Sequence, residues 1–177
     1  MRSSLSGNLR RILRRFDIQK QALRCGYLGG FFMLLSFVLV RMLSGTPYRA
    51  YFYLREVGDL LPLGIYAVMN LLFSVWLGIA FGMVFSCRSC CGRRRAEVYR
   101  GGMLFIFMTV LWYAAYPLVV RGNLLLLALI CLIAVCVIGI GCVVSFFRIL
   151  PISGWIVFLY LIWLGVLIFT LLHCLLG

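Results

Sequence analysis

The 177-residue chain is too apolar to be a water-soluble protein, because 65% of its residues are hydrophobic, only 12% are charged and the mean hydropathy is +1.12. Its formal net charge of +13 lies in short segments that flank apolar runs. This arrangement indicates membrane orientation and contact with anionic inner-leaflet lipids, and it argues against nucleic acid as a partner.

Residues 1–24 carry seven basic residues and one acid, and they contain no apolar run long enough to cross a bilayer. Apolar residues recur here at helical spacing, namely Leu9, Ile12, Leu13 and Phe16. The pattern predicts an amphipathic basic helix in the headgroup plane, although a disordered basic tail would serve orientation equally well. We place the single membrane domain at residues 25–177.

About 20 apolar residues are needed per crossing, so the rest of the chain predicts an all-α integral membrane protein, a bundle of five transmembrane helices. The spans are expected at about residues 25–43, 60–86, 103–120, 124–147 and 151–176. The first span resembles a signal peptide, but its apolar run is too long and no cleavage site follows, so we expect it to be retained.

Small residues mark two predicted packing surfaces. In the second span a polar or small residue falls every four positions, at Asn70, Ser74, Gly78 and Gly82. This stripe predicts close helix packing, and Asn70 could hydrogen-bond across helices or, alternatively, face a ligand. In the fourth span a narrow face of small and medium residues also predicts packing, at Ala128, Cys131, Val135, Gly139 and Cys142.

The first loop, residues 44–59, combines aromatic residues with arginines. Aromatic side chains at a bilayer boundary are ordinarily interfacial anchors. The alternative is a lid over the mouth of the bundle. Tyr51 would then offer a stacking face, and Arg49 and Arg55 would offer guanidinium groups to a flat, acidic ligand.

Residues 86–102 form the predicted central loop, which contains five arginines and one glutamate. Arginine is favoured on the cytoplasmic side of a membrane, and the basic N-terminal segment should lie on that same side. With five spans, we expect the N-terminus in the cytoplasm and the C-terminus on the opposite side.

Eight cysteines do not by themselves indicate a metal or a disulfide framework. Cys87, Cys90 and Cys91 form a C-x-x-C-C group beside the membrane, but no second C-x-x-C pair completes a zinc site. We expect reduced thiols there and no metal, with surface acylation as an alternative.

Catalysis has little basis in the sequence. The one histidine, His173, lies near the end of the last predicted span, and the four acids lie in predicted loops or in the N-terminal segment. No acid/base pair or nucleophilic dyad can be assembled, so we expect no catalytic residues and no enzyme. His173 is expected to be interfacial, with axial haem ligation as an alternative.

Short motifs resemble those of a known family. Tyr66-x-x-Met69, then Leu111 with Pro117 and Leu118, and finally Pro151-x-x-x-Trp155-x-x-Phe158 are similar to motifs of the TspO/MBR family, the tryptophan-rich sensory or translocator proteins. The five-span layout with a long aromatic first loop also resembles this family. The chain differs from the family pattern at Trp112, where the family has Asn, and at Ala115, where it has Trp.

The resemblance implies a homodimer that binds porphyrins, including haem-type ligands, or other small flat hydrophobic molecules in a pocket beneath the first loop, with no required cofactor. The predicted ligand-binding residues are Arg49, Tyr51, Arg55, Tyr66, Asn70, Trp112, Tyr116, Trp155 and Phe158. We expect the macrocycle to lie against Trp155 with its acidic groups near Arg49 or Arg55.

Several aromatic side chains have an alternative role as belt or packing residues, including Trp76 and Trp163. The function also has alternatives. The chain could be a non-catalytic membrane interaction or scaffold subunit, or the substrate-binding subunit of a multi-component importer.

Overall fold

A computed structural model describes residues 2–44, 63–86, 95–121 and 124–176. Five helices account for them: α1 (Arg2–Ser44), α2 (Leu63–Ser86), α3 (Arg95–Arg121), α4 (Leu125–Ile149) and α5 (Pro151–Leu176). Each helix contains a stretch long and apolar enough to cross a membrane, namely Lys20–Ser44, Ala67–Ser86, Arg95–Leu118, Leu125–Ile149 and Pro151–His173. The predicted all-α class with five spanning helices is therefore confirmed.

Helix α1 is continuous from Arg2 to Ser44 and passes through the predicted boundary at residue 24 without a break. The first span and the basic segment before it thus belong to one helix. The separation of residues 1–24 from the membrane domain, and their position in the headgroup plane, stay predictions.

Helix α3 begins at Arg95, eight residues before the predicted start of the third span, so the second half of the predicted central loop is helical. Two features explain the difference. Glu97 lies in the first turn, where an acidic side chain interacts favourably with the helix dipole. Val98 is buried in the hydrophobic core, and this burial stabilises the helical conformation of the polar segment around it.

Helices α1 and α2 form an antiparallel hairpin in which glycines bring the two backbones together. A Cβ atom built on Gly78 would lie 2.6 Å from the carbonyl carbon of Gly29 and 2.8 Å from the Cα of Gly30. One built on Gly82 would lie 2.6 Å from the carbonyl carbon of Cys25. The predicted packing role of the small residues in α2 is confirmed at these two positions.

Helices α3, α4 and α5 form a second unit in which each helix is antiparallel to the one before it. Helix α4 packs on both of its neighbours in the chain. Its predicted packing face is confirmed at four of its five positions, since Ala128, Val135, Gly139 and Cys142 are buried. Between α4 and α5, a Cβ built on Gly154 would lie 2.6 Å from the ring of Phe147.

The alternating helix directions define two ends of the bundle. The loop end holds Ser44 and Leu63, to which the first loop is attached, and the arginine end holds Ser86, Arg95 and Pro151. Exposed basic side chains gather at the arginine end, namely Lys20, Arg24, Arg95, Arg100 and Arg148. Which end faces the cytoplasm stays a prediction from the positive-inside rule.

Candidate functional site

Four buried aromatic side chains meet where the α1–α2 hairpin packs on the three-helix unit, and we call them the aromatic junction: Phe73, Trp112, Tyr160 and Trp163. The ring centroid of Phe73 lies 6.0 Å from that of Tyr160 and 6.1 Å from that of Trp163. The ring of Trp112 meets Tyr160 edge to face at 6.1 Å. Three different helices thus contribute aromatic faces to one site.

Helical periodicity explains why α5 supplies two of these rings. In the first half of this helix the buried positions Ser153, Val157, Tyr160 and Trp163 recur at intervals of three or four residues. Tyr160 and Trp163 are three residues apart, so both side chains project from the same face of the helix toward α2.

A hydrogen bond ties the two units together at the junction. The indole Nε1 of Trp163 donates to Oδ1 of Asn70 at 2.8 Å. This contact confirms that Asn70 hydrogen-bonds across helices, as its position in the small-residue stripe predicted. It also gives the buried indole N–H of Trp163 an acceptor, which hydrocarbon could not supply.

Two buried hydroxyl groups on α5 have no hydrogen-bond partner among the described residues: the Tyr160 OH and the Ser153 Oγ. Tyr160 is only 2% exposed, and its ring contacts the rings of Phe73 and Trp112. Buried polar groups in proteins are nearly always hydrogen-bonded, so these unpartnered hydroxyls point to polar groups outside the described residues.

A second contact between the units joins α3 to α1. The hydroxyl of Tyr113 on α3 donates to the backbone carbonyl of Met33 on α1 at 3.2 Å. Tyr116 lies one turn further along α3, and its ring centroid is 6.1 Å from that of Phe37 on α1. These contacts place the half-buried Tyr116 at the α1–α3 boundary, beside the junction.

The structure brings some of the predicted ligand-binding residues together. Asn70 and Trp112 belong to the junction or contact it directly, and Tyr116 lies beside it. Tyr66 lies on α2 one turn closer to the loop end than Asn70, and its side chain is outside the described part of the chain. Arg49, Tyr51 and Arg55 also lie outside the described residues.

Trp155 and Phe158 are not part of this site. Their side chains are 57% and 40% exposed, and Trp155 contacts Phe158 and Phe147 on the outside of the bundle, with ring centroids 5.6 Å and 5.4 Å away. This position is typical of an aromatic residue in the interfacial belt, which was the alternative interpretation.

Trp155 is also at the wrong end of the bundle for its predicted role. It precedes Trp163 by eight residues, about 12 Å along a helix, and Asn70 lies seven residues, about 10 Å, from Leu63 at the start of α2. Because Trp163 is level with Asn70, Trp155 lies about 22 Å along the bundle from Leu63, where the first loop is attached. The prediction that Trp155 and this loop share one membrane face is therefore corrected.

Phe73 and Tyr160 are site residues that the sequence analysis missed. Phe73 follows Asn70 by three residues and so lies on the same face of α2. The small-residue stripe on that face could therefore have predicted its position. Tyr160 carries no comparable signal, because apolar neighbours surround it on every side of α5.

Within the ranges that the structure covers, no three His, Cys, Asp or Glu side chains lie close enough together to hold a metal ion. Cys87, Cys90 and Cys91 lie outside those ranges. The described cysteines Cys25, Cys131, Cys136 and Cys142 are free.

Comparison with known proteins finds no matching family model, no matching curated protein and no matching solved structure. The resemblance to the TspO/MBR family is thus carried by its short motifs, and what the chain itself supports is a five-helix membrane bundle with an aromatic junction at its centre.

Proposed function

We propose that this protein is a non-catalytic membrane receptor or carrier that binds a flat hydrophobic molecule, such as a porphyrin, at the aromatic junction. The observation that carries the proposal is the buried Tyr160 hydroxyl, which has no partner among the described residues and whose ring contacts the rings of Phe73 and Trp112. A planar molecule with a polar substituent would supply both stacking surface and a hydrogen-bond partner.

The position of the junction supports the proposal. Ligand sites in helical membrane and soluble proteins are commonly formed between helices and between structural units. Here the hairpin and the three-helix unit meet through aromatic rings, whereas within the hairpin glycines bring the backbones of α1 and α2 into contact. Rings can change rotamer to admit a ligand at a much lower cost than two backbones in contact can separate.

The direct test is titration of the purified protein with protoporphyrin IX, followed by the porphyrin absorbance. We expect saturable binding by the wild type. Phe73→Leu removes one stacking face but keeps an apolar side chain, and it should weaken binding by about 0.5–1.5 kcal/mol, or roughly two- to thirteen-fold in Kd. Trp155→Leu is the matched control and should leave Kd unchanged, since its ring is on the outer surface.

Either of two results would contradict the proposal. One is the absence of saturable porphyrin binding by the wild type. The other is the reverse ranking, in which Trp155→Leu weakens binding and Phe73→Leu does not.

The second candidate function is a membrane-embedded interaction or scaffold subunit. Its supporting observation is the concentration of exposed basic side chains at the arginine end, which would suit an acidic partner surface. This candidate becomes the better one if the wild-type protein does not bind porphyrins.

A further inference from the structure

The outer surface of the α3–α4 pair carries two arginines at the arginine end. On α3, Arg100 is two residues from the buried Val98, and on α4, Arg148 is two residues from the buried Phe146. Two residues correspond to about 200° around a helix. Both arginines therefore project away from the core, and both are exposed.

The two arginines also lie at similar levels along the axis of the bundle. A Cβ built on Gly101 would lie 3.3 Å from the ring of Phe146 and 3.3 Å from the Cβ of Ser145, so α3 and α4 approach each other closely at this level. Arg100 adjoins Gly101 in the chain, and Arg148 is three residues beyond Ser145. Helices in contact have axes 8–10 Å apart, a gap that two arginine side chains can span to reach one anion.

An apolar surface continues from the arginines toward the middle of the membrane. Gly141 on α4 faces Leu104 on α3 with no side chain of its own, and a Cβ there would lie 3.5 Å from the Leu104 Cδ1. Both helices carry exposed apolar side chains at this level, namely Met103, Phe107, Ile140 and Val144. The result is a shallow apolar strip beneath a pair of guanidinium groups.

We propose that this surface is a specific binding site for an anionic phospholipid. The headgroup phosphate would accept hydrogen bonds from Arg100 and Arg148, and an acyl chain would lie along the strip at Gly141. Charge complementarity favours this occupant. Arg95, Arg100 and Arg148 outnumber the one described acid nearby, the half-buried Glu97. The apolar strip favours a lipid over a soluble phosphate compound.

The test uses the full-length protein in detergent, with dioleoylphosphatidylglycerol, dioleoylphosphatidylcholine or glycerol 3-phosphate added in turn. Native mass spectrometry counts the retained lipid, and thermal unfolding measures stabilisation. We expect phosphatidylglycerol to be retained and to raise Tm more than phosphatidylcholine. Most of this extra shift should be lost in the double variant Arg100→Gln/Arg148→Gln.

The matched control is Lys20→Gln/Arg24→Gln, which removes two exposed charges from the same end of the bundle on α1. It should keep the phosphatidylglycerol effect. Circular dichroism checks that both double variants are folded, and each of the single variants Arg100→Gln and Arg148→Gln should lose part of the shift.

Three results would overturn the proposal. Equal losses in the two double variants would mean general attraction to a basic surface. Full retention of phosphatidylglycerol by Arg100→Gln/Arg148→Gln would place the lipid elsewhere. An equal Tm shift with glycerol 3-phosphate would indicate a soluble phosphate compound.

Discussion

The contact between α1 and α2 leads to a quantitative prediction about a single methyl group. In Gly78→Ala the new Cβ would lie 2.6 Å from the carbonyl carbon of Gly29 and would also overlap the Gly29 carbonyl oxygen. Ordinary contacts of a Cβ begin near 3.4 Å. The neighbouring atoms belong to the backbone and cannot rotate away, so α1 must shift by roughly 1 Å along this interface.

Overpacking of this kind typically costs about 1–3 kcal/mol, while alanine in place of glycine within a helix gains about 0.5–1 kcal/mol. We therefore expect Gly78→Ala to lower the free energy of unfolding by about 1–2 kcal/mol, and Gly78→Leu to lower it further. Gly165→Ala is the matched control, because a Cβ there meets nothing within 4 Å. This variant should raise the free energy of unfolding by about 0.5–1 kcal/mol, because alanine has a higher helix propensity than glycine and makes no new contact there.

The assay is unfolding in mixed micelles with increasing sodium dodecyl sulfate, followed by circular dichroism. The two alanine variants should differ by about 1.5–3 kcal/mol, with opposite signs relative to the wild type. If Gly78→Ala is as stable as Gly165→Ala, then α1 does not pack on α2 through this glycine, and the arrangement of the hairpin is wrong.

Two further predictions concern topology and the hydrogen bond between the units. An epitope tag at the N-terminus or within residues 93–95 should be accessible from the cytoplasm and one after Gly177 from the opposite side, as measured by protease protection; both termini on one side would contradict the predicted orientation. Asn70→Leu should lower the free energy of unfolding by about 1 kcal/mol, because the indole N–H of Trp163 loses its acceptor. Ser74→Ala should cost much less in the same micelle assay, since the Ser74 hydroxyl donates only to the carbonyl of Asn70 in its own helix, and equal losses would show that the bond to Trp163 adds nothing.

Composition and periodicity were sufficient to predict the fold class and two packing surfaces. The lengths of the apolar runs predict the number of membrane spans. Small residues at four-residue intervals predict close contact between two helix backbones, as is found at Gly78 and Gly82. The sequence does not predict the start of α3, because arginines between two apolar runs favour a loop. Arg95 and Arg100 instead lie on the first two turns of α3, which begins at Arg95.

The aromatic site was predicted only in part, for a reason specific to membranes. In a soluble protein, hydropathy separates the inner and outer faces of a helix, but in lipid both faces are apolar. Trp155 and Trp163 therefore look alike in sequence, although one lies on the outer surface and the other in the core. For Asn70 the sequence does predict an inward-facing position, since a side-chain amide in hydrocarbon needs a hydrogen-bond partner.

The order of contacts along the chain has a consequence for biosynthesis. Gly29 and Gly78 meet across neighbouring helices, so the hairpin can pair as soon as α2 is inserted, while later helices are still being synthesised. Asn70 and Trp163 are 93 residues apart, and their hydrogen bond must wait for α5. Until the last helix arrives, the nascent chain carries an amide inside the membrane without its indole partner, and this interval is when it is most exposed to misassembly and to membrane quality control.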